Sequence, residues 1–472
     1  MIVAGVAHPI RLLHRMEAAR ARRRHRPSGL QCPRPDLPEG ADALPQIRHI
    51  VVLMMENHSF DNYLGTLGRG DGLPPGTANL SSTGRAVAAH HLGRTAQRAG
   101  VPNQSWVSSH EQWNGGRNDG FVRSAERQQR GVPGDDAMGY WTDEDLPFYA
   151  GLARTFPLAD RWFSSCLGPT FPNRRFLVAG TAHGLSSDRL KKTIDRPANG
   201  TLFDLLNRHG ITWADYHSVS HGRALLGQAP GLHGSAAGRH LRVRLLEDRI
   251  KSAGGEVKSL LQFTADAFPL GLLGYLGHVR SIDRFESDAR RGTLPDVSIV
   301  DPDFRASSEE NPQDVRVGEA FAARIINAVL RGPAWGETLL VWCYDEHGGY
   351  YDHVPPPSAV EPDGVGPEDG GVWRYDRYGF RVPAVIVSPY ARPDYVSHVV
   401  HDHTSILKLI ETKWNLPPLT ARDAAADDLL DSLDLDAPPS FATAPQLPPP
   451  ALERPDRPEN SAEVPGGAST PR

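Results

Sequence analysis

Four short apolar runs punctuate the chain: "IRHIVVLMM" from residue 47, "DVSIV" from 296, "TLLVWCY" from 338 and "VPAVIVSP" from 382. Each has the length of a strand and lacks the alternation of a half-exposed one. They therefore read as central strands covered on both faces, as in a parallel sheet flanked by helices. Apolar positions at three-to-four spacing place helices in "GEAFAARIINAVL" and "HTSILKLIETKW". A further helix is expected in "TDEDLPFYAGLARTF", with Thr142 as N-cap and acids in its first turn. The pattern predicts an α/β fold, a three-layer α/β/α sandwich with a mostly parallel central sheet plus insertions.

The periodicity fails at both ends and once in the middle. Residues 1–45 include the basic run "ARARRRHRPSG" and then a Pro-rich stretch, which predicts a disordered arm. Residues 437–472, rich in Pro, Ala and Ser, predict an unpacked tail. The catalytic domain then runs over 46–436. Within it the Gly- and His-rich stretch from 216 to 240 fits neither period, so 190–295 is expected to form a cap or insertion over the sheet.

Composition narrows the classes. The chain has 472 residues, enough for a large core, and 51 Lys+Arg against 56 Asp+Glu give a net charge of −5. That balance argues against general nucleic-acid or membrane-surface binding. The three cysteines are far apart, odd in number and form no CxxC pair, so neither a disulfide framework nor a zinc-thiolate site is indicated. No stretch reaches the roughly 18 apolar residues of a membrane span. The first residues make a poor secretory signal, since Arg11, His14 and Arg15 interrupt them, so the chain is expected to be soluble, with the cytoplasm favoured and export left open.

In open α/β sheets ligands bind beyond the carboxyl ends of the strands. There the first run delivers Glu56-Asn57, the third Asp345-Glu346-His347-Gly348-Gly349, and the second Asp301 with Glu309-Glu310-Asn311 shortly after. Carboxylates converging from separate strands repel one another unless a cation lies between them. Glu56, Asn57, Asp345 and Glu346 thus make a hard-oxygen set for a divalent metal, with Ca, Mg or Mn favoured. The plainer alternative is that Glu56 caps a helix starting near Ser59 and "DEHGG" is a turn.

In "CLGPTFPNRRFLVAGTAHG" prolines and a glycine restrain Thr170 ahead of a helix expected to begin near Asn173. A hydroxyl there faces the N–H groups and positive dipole end that bind phosphate. Thr170 is placed as a nucleophile on phosphorus, supported by Asn173 and Arg174; a mere helix-start residue is the alternative reading. Among twenty histidines, His353 is tied to the acids by a short loop, and His353 or His403 is expected to protonate the leaving alkoxide. His110, in "WVSSHEQWNGGRNDGF", is a further candidate, and Trp106, Trp113, Tyr350 and Tyr351 are candidates to line an alcohol pocket.

Taken together, "IVVLMMENHSFDNYLG", "HEQWNGGRNDGF", "CLGPTFPNRRF", "NGTLFDLLNRHGITWADY", "WGETLLVWCYDEHGGYYDHVPPP", "GFRVPAVIVSPYAR" and "DHTSILKLIETKWNLPPLTARD" resemble the phosphoesterases that include bacterial and plant phospholipases C and a group of acid phosphatases. They are a branch of the alkaline phosphatase superfamily. The likeness covers about residues 46–425 in the family's order. It implies an alkaline-phosphatase-like fold and hydrolysis of phosphodiesters or phospholipids through a phospho-threonine. By position, Thr170 resembles the nucleophile and Glu56, Asn57, Asp345 and Glu346 the metal ligands. Glu310 joins the catalytic set, and His110, Asn173 and Arg174 the substrate-binding one. Two positions depart from the pattern. Gln104 stands where many members have a histidine, and Glu310-Asn311-Pro312 stands for the common Glu-His-Pro. A soluble acid phosphomonoesterase and a catalytically weakened binding protein on the same scaffold remain alternatives.

Overall fold

The structure is a computed structural model, and it describes residues 29–100, 102–188, 197–217 and 278–452. Its centre is an eight-stranded sheet. In chain order the strands are β1 (His49–Met55), β2 (Leu158–Ala159), β3 (Trp213–His217), β4 (Val279–Ser281), β5 (Val297–Val300), β6 (Thr338–Tyr344), β7 (Ala384–Val387) and β8 (Val396–Ser397). Across the sheet they run β8-β2-β7-β6-β1-β5-β3-β4. All pairings are parallel except those of β7 with β6 and β2. The four apolar runs are therefore β1, β5, β6 and β7. All seven residues of β1 and of β6 are buried, which is why neither strand alternates.

Around the sheet lie α1 (Phe60–Leu64), α2 (Trp106–Trp113), α3 (Phe121–Gln128), α4 (Pro147–Thr155), α5 (Thr170–Ala179), α6 (Leu202–His209), α7 (Ile282–Arg291), α8 (Val315–Leu330), α9 (His403–Trp414) and α10 (Ala421–Ala425). Helix α5 packs on α6 and α9, and α9 on α10; α8 packs on α4 and α7. Two helical groups around strands buried on both faces make the expected three layers. Among the described residues no helix is long and apolar enough to cross a membrane.

Several boundaries differ from expectation. Thr142 does not cap α4: its N–H and hydroxyl donate to Asp145 in a turn, and the helix opens at Pro147, which needs no N–H partner there. Helix α5 starts at Thr170, three residues early, because Pro172 in a first turn removes only an N–H that would have had no partner. The span 190–295 is not wholly a cap, since its described ends supply α6, β3, β4, α7 and part of the sheet edge; 189–196 and 218–277 lie outside the described residues. The terminal stretches also pack where described. Lys413 holds Asp42 at 2.8 Å and the carbonyl of Leu44. Phe441 packs its ring, tilted, 4.9 Å from that of Phe156, its carbonyl accepts from Trp335 Nε1, and the Ala451 N–H donates to Glu319. An apolar anchor every few residues is enough to hold a Pro-rich strand against a core that lacks cover there.

Candidate active site

Register sets the geometry. Strands β1 and β6 pair from His49 opposite Thr338 to Met55 opposite Tyr344, so Glu56 and Asp345 leave the sheet side by side. Strand β5 ends with Val300 opposite Leu53, which brings Asp301 in two residues below them. The backbone then turns sharply at Asn57, at φ 71°, a left-handed conformation asparagine tolerates better than most residues. Its N–H donates to Asp345 Oδ1 at 3.1 Å, and the Glu346 N–H donates to the same oxygen at 2.7 Å. A Cβ on Gly348 would stand 1.9 Å from the Asn57 carbonyl, so only glycine lets the "DEHGG" loop pass.

Three side-chain oxygens in this corner, Glu56 Oε2, Asn57 Oδ1 and Glu346 Oε1, are buried without any hydrogen-bond partner. Buried polar atoms are nearly always paired, and each unpaired one costs on the order of 1–3 kcal/mol. A hard divalent cation is the ligand such a set of oxygens fits. The electrostatics agree. Burial, then Glu310 and Asp345, push the Glu56 carboxyl well above its ordinary range. Burial, then Asp345, do the same to Glu346. Burial also raises Asp345, although Arg174 opposes it. The three like charges stand apart here, and their donors do not close to within 4.8 Å of one another as two other groups do.

Helix α5 reaches the same corner. Arg174, 1% exposed, donates from Nε to Asp345 at 3.0 Å, from Nη1 to Asp301 at 2.6 Å and from Nη2 to the carbonyls of Met54 and Met55 at 3.3 Å. Expected at the substrate, it instead braces the strand ends. Asn173 likewise turns inward, accepting from Cys166 N and donating to the carbonyls of Gly168 and Pro169. These bonds fix the loop that presents Thr170. Thr170, buried at the first position of the helix, lies one turn before Arg174 on the same helix face. The free helix terminus expected for phosphate is partly occupied, since Asp188 accepts from Phe171 N at 2.8 Å and lies close enough to raise Glu346.

The histidines separate. His403, at the start of α9, donates from Nε2 to the Asp345 carbonyl at 2.7 Å, and burial lowers its pKa to about 4. It is a neutral brace beside the acids, with no proton on Nδ1. His353 is held by a different set of carboxylates. Nδ1 is 2.7 Å from Asp61 and Nε2 3.3 Å from Asp71, while Arg381 pairs with Asp61 and Asp352. Burial disfavours its charge, but the Asp61 carboxylate outweighs this and the pKa ends raised. His110 packs on Trp373 at 4.2 Å and beside Trp106, whose ring lies against Gly168 in the loop before Thr170. Burial lowers its pKa to about 4. Tyr350 is core, donating to Gln97 Oε1, rather than pocket lining.

Residues given no role from the sequence complete the corner. His347 contacts Glu346 Oε2 at 3.3 Å and Gln112 Oε1 at 2.7 Å. Glu309, left-handed at φ 76°, buries its carboxyl against the hydroxyls of Tyr63, Tyr149 and Tyr344, and this anchors the loop that brings Glu310 within electrostatic reach of Glu56. Gly318 leaves the room, because a Cβ there would meet Glu309 Cγ at 2.1 Å.

Comparison with known proteins places this geometry. Phospholipase C B of Mycobacterium tuberculosis is 32% identical over 443 residues, 84% of this chain and 79% of the relative. Non-specific phospholipase C1 of Arabidopsis thaliana is 29% identical over 411 residues, 80% of this chain and 69% of the relative. A solved protein of the alkaline phosphatase superfamily from Vibrio parahaemolyticus aligns at TM-score 0.40 and 11% identity over 89% of this chain and 78% of its own, too distant to bear on the site. The sequence profile of the phosphoesterase family matches residues 47–417. The chain belongs to the phosphoesterase family.

Proposed function

We propose that the protein is a metal-dependent phosphoric ester hydrolase of the phospholipase C type, cleaving phosphodiesters through a phospho-threonine at Thr170. The observation that carries this reading is the trio of unpartnered buried oxygens on Glu56, Asn57 and Glu346 beside the helix that presents Thr170. The names of the relatives support the substrate class. A divalent ion held by Glu56, Asn57, Asp345 and Glu346 would supply charge neutralisation to the phosphoryl oxygens and acidify a nearby hydroxyl. The Thr170 hydroxyl loses its proton as Oγ bonds to phosphorus, and the bond from phosphorus to the departing alcohol breaks. Water then cleaves the bond from phosphorus to the threonine oxygen, which returns the hydroxyl and releases the phosphomonoester of the remaining alcohol. Arg174 and His403 keep Asp345 in place throughout, and Glu310 adds its charge beside Glu56.

His353 is the proton donor to the alcohol in this scheme, because the Asp61 carboxylate raises its pKa and favours the charged form, whereas burial favours the neutral form of His403. His353→Gln is expected to lower kcat by about 10²-fold on an alkyl ester, and far less on a nitrophenyl ester whose leaving group needs no proton. Equal losses on both would remove that role.

Proton competition gives a second expectation. Glu56, Asp345 and Glu346 hold protons in the metal-free fold above the range where the unfolded chain loses them. Their contribution to metal-free stability is full below the ordinary carboxylate range and is lost as pH rises from there through their raised folded-state values. A cation displaces those protons, so the rise in Tm on adding Mg, Mn or Ca should be larger at about pH 7 than at about pH 5. A metal shift independent of pH would count against the ligand set.

Substrate class is tested by incubating the metal-loaded protein with phosphatidylcholine and with a soluble phosphomonoester. Diacylglycerol release supports the phospholipase C reading. Turnover of the monoester alone replaces it with a phosphatase, and turnover of neither favours a binding protein.

A further inference from the structure

Strand β3 carries Asp215 and His217 at alternate positions, hence on one face of the sheet. It pairs with β5 so that Tyr216 stands opposite Val300, and the Asp301 N–H donates to the Tyr216 carbonyl at 3.0 Å. This register brings Asp301 level with His217. Each of the three side chains offers a ligand atom, and the three atoms lie within 4.8 Å of one another. His217 Nε2 is 2.8 Å from Asp215 Oδ1, and Nδ1 is 3.5 Å from Asp301 Oδ2.

Hydrogen bonding leaves this group incomplete. Asp215 is fully buried and neither of its oxygens receives a hydrogen bond, despite the short approach of the imidazole. Asp301 is also fully buried. Arg174 serves its Oδ1, while Oδ2 receives nothing. A doubly protonated His217 between the two aspartates would at best serve one oxygen of each, leaving the second Asp215 oxygen bare. Burying carboxylates in that state is costly.

Charge points the same way. Glu56, Asp215, Asp301, Asp345 and Glu346 are five carboxylates, each at most 3% exposed. Among the described residues, Arg174 is the only arginine or lysine in ion-pair contact with them. One divalent ion on the Glu56 set, together with Arg174, leaves two negative charges unmatched in a low-dielectric interior.

We propose that Asp215, His217 and Asp301 form a second divalent-metal site, separated from the Glu56 set by Arg174. One imidazole and two carboxylates suit Zn, Mn, Fe or Co, whereas the all-oxygen set suits harder ions. The site rests on these three residues and stands whether or not Thr170 acts as nucleophile.

The test uses the purified full chain, stripped with chelator and reloaded with cobalt(II). Bound cobalt per chain and the visible ligand-field band are read for the wild type, Asp215→Asn, His217→Gln and Asn57→Ala. The expected result is that Asp215→Asn and His217→Gln each bind one ion fewer than wild type and lose the imidazole-dependent band, while Asn57→Ala loses the other ion and keeps the band. Wild-type cobalt content and spectrum in folded Asp215→Asn or His217→Gln would overturn the proposal. So would a wild type whose bound cobalt is abolished entirely by Asn57→Ala. Asp215→Asn and His217→Gln remove different ligands, so one misfolding variant leaves the other to decide. Turnover and its loss in a Thr170 variant are measured separately, so failure here is distinguishable from failure of the hydrolase reading.

Discussion

Thr170→Ala is expected to retain the fold and lose turnover of phosphoesters by about 10³-fold or more in kcat, since removing a covalent nucleophile leaves only binding and electrostatic assistance. The structure makes the two halves of this expectation separable. Helix α5 does not use the Thr170 hydroxyl to start: its N-cap is Pro169, with no side-chain cap hydrogen bond. Alanine is a better helix former than threonine, so the helix should survive with stability changed by less than about 1 kcal/mol. Thr170→Ser, which keeps a hydroxyl, should recover part of the rate. Steady-state kinetics beside urea denaturation of the three proteins checks both halves. A variant that loses stability and activity together would return Thr170 to the role of helix-start residue.

Arg174→Met should be the most destabilising substitution in the site, by roughly 3–5 kcal/mol, because it removes one partner from a fully buried network and leaves the others. Asp345 and Asp301 would each lose a charged donor, and the carbonyls of Met54 and Met55 a further one. Lysine should not rescue it, since a single ammonium cannot span two carboxylates and two carbonyls in place of a planar fork. Added divalent metal should recover part of the loss by neutralising Asp345. Thermal unfolding of Arg174→Met and Arg174→Lys, with and without metal, measures this. A wild-type Tm in either variant would mean that the acids do not depend on the guanidinium.

The parts of this architecture that sequence reading reached are those with local causes. Strands β1, β5, β6 and β7 are continuous apolar runs, and Glu56, Asp345 and Asp301 follow them directly. Strands β2 and β8 are two residues long and exist by pairing alone, so no periodicity marks them. Strand β3 hid because "WADYH" alternates Asp and His with aromatics, a pattern of a half-polar strand that in the fold is wholly buried. That same alternation was the available signal for Asp215 and His217. Arg174 and Asn173 read as phosphate ligands because their sequence position beside Thr170 cannot show which way a helix face turns. Glu309 and His347 take their roles from residues more than a hundred positions away, Tyr63, Tyr149 and Gln112 among them, and no local pattern encodes such pairings.

The central claim is that phosphorus is transferred to Thr170. The most direct measurement is acid quench of the metal-loaded enzyme during turnover of a phosphodiester, followed by peptide mass spectrometry. With a phosphodiester the expected adduct on the peptide containing Thr170 is the phosphoryl group still esterified to the alcohol that has not departed, localised to the Thr170 hydroxyl and absent from Thr170→Ala. Rapid turnover with no such adduct, or with the adduct on another residue, would contradict it.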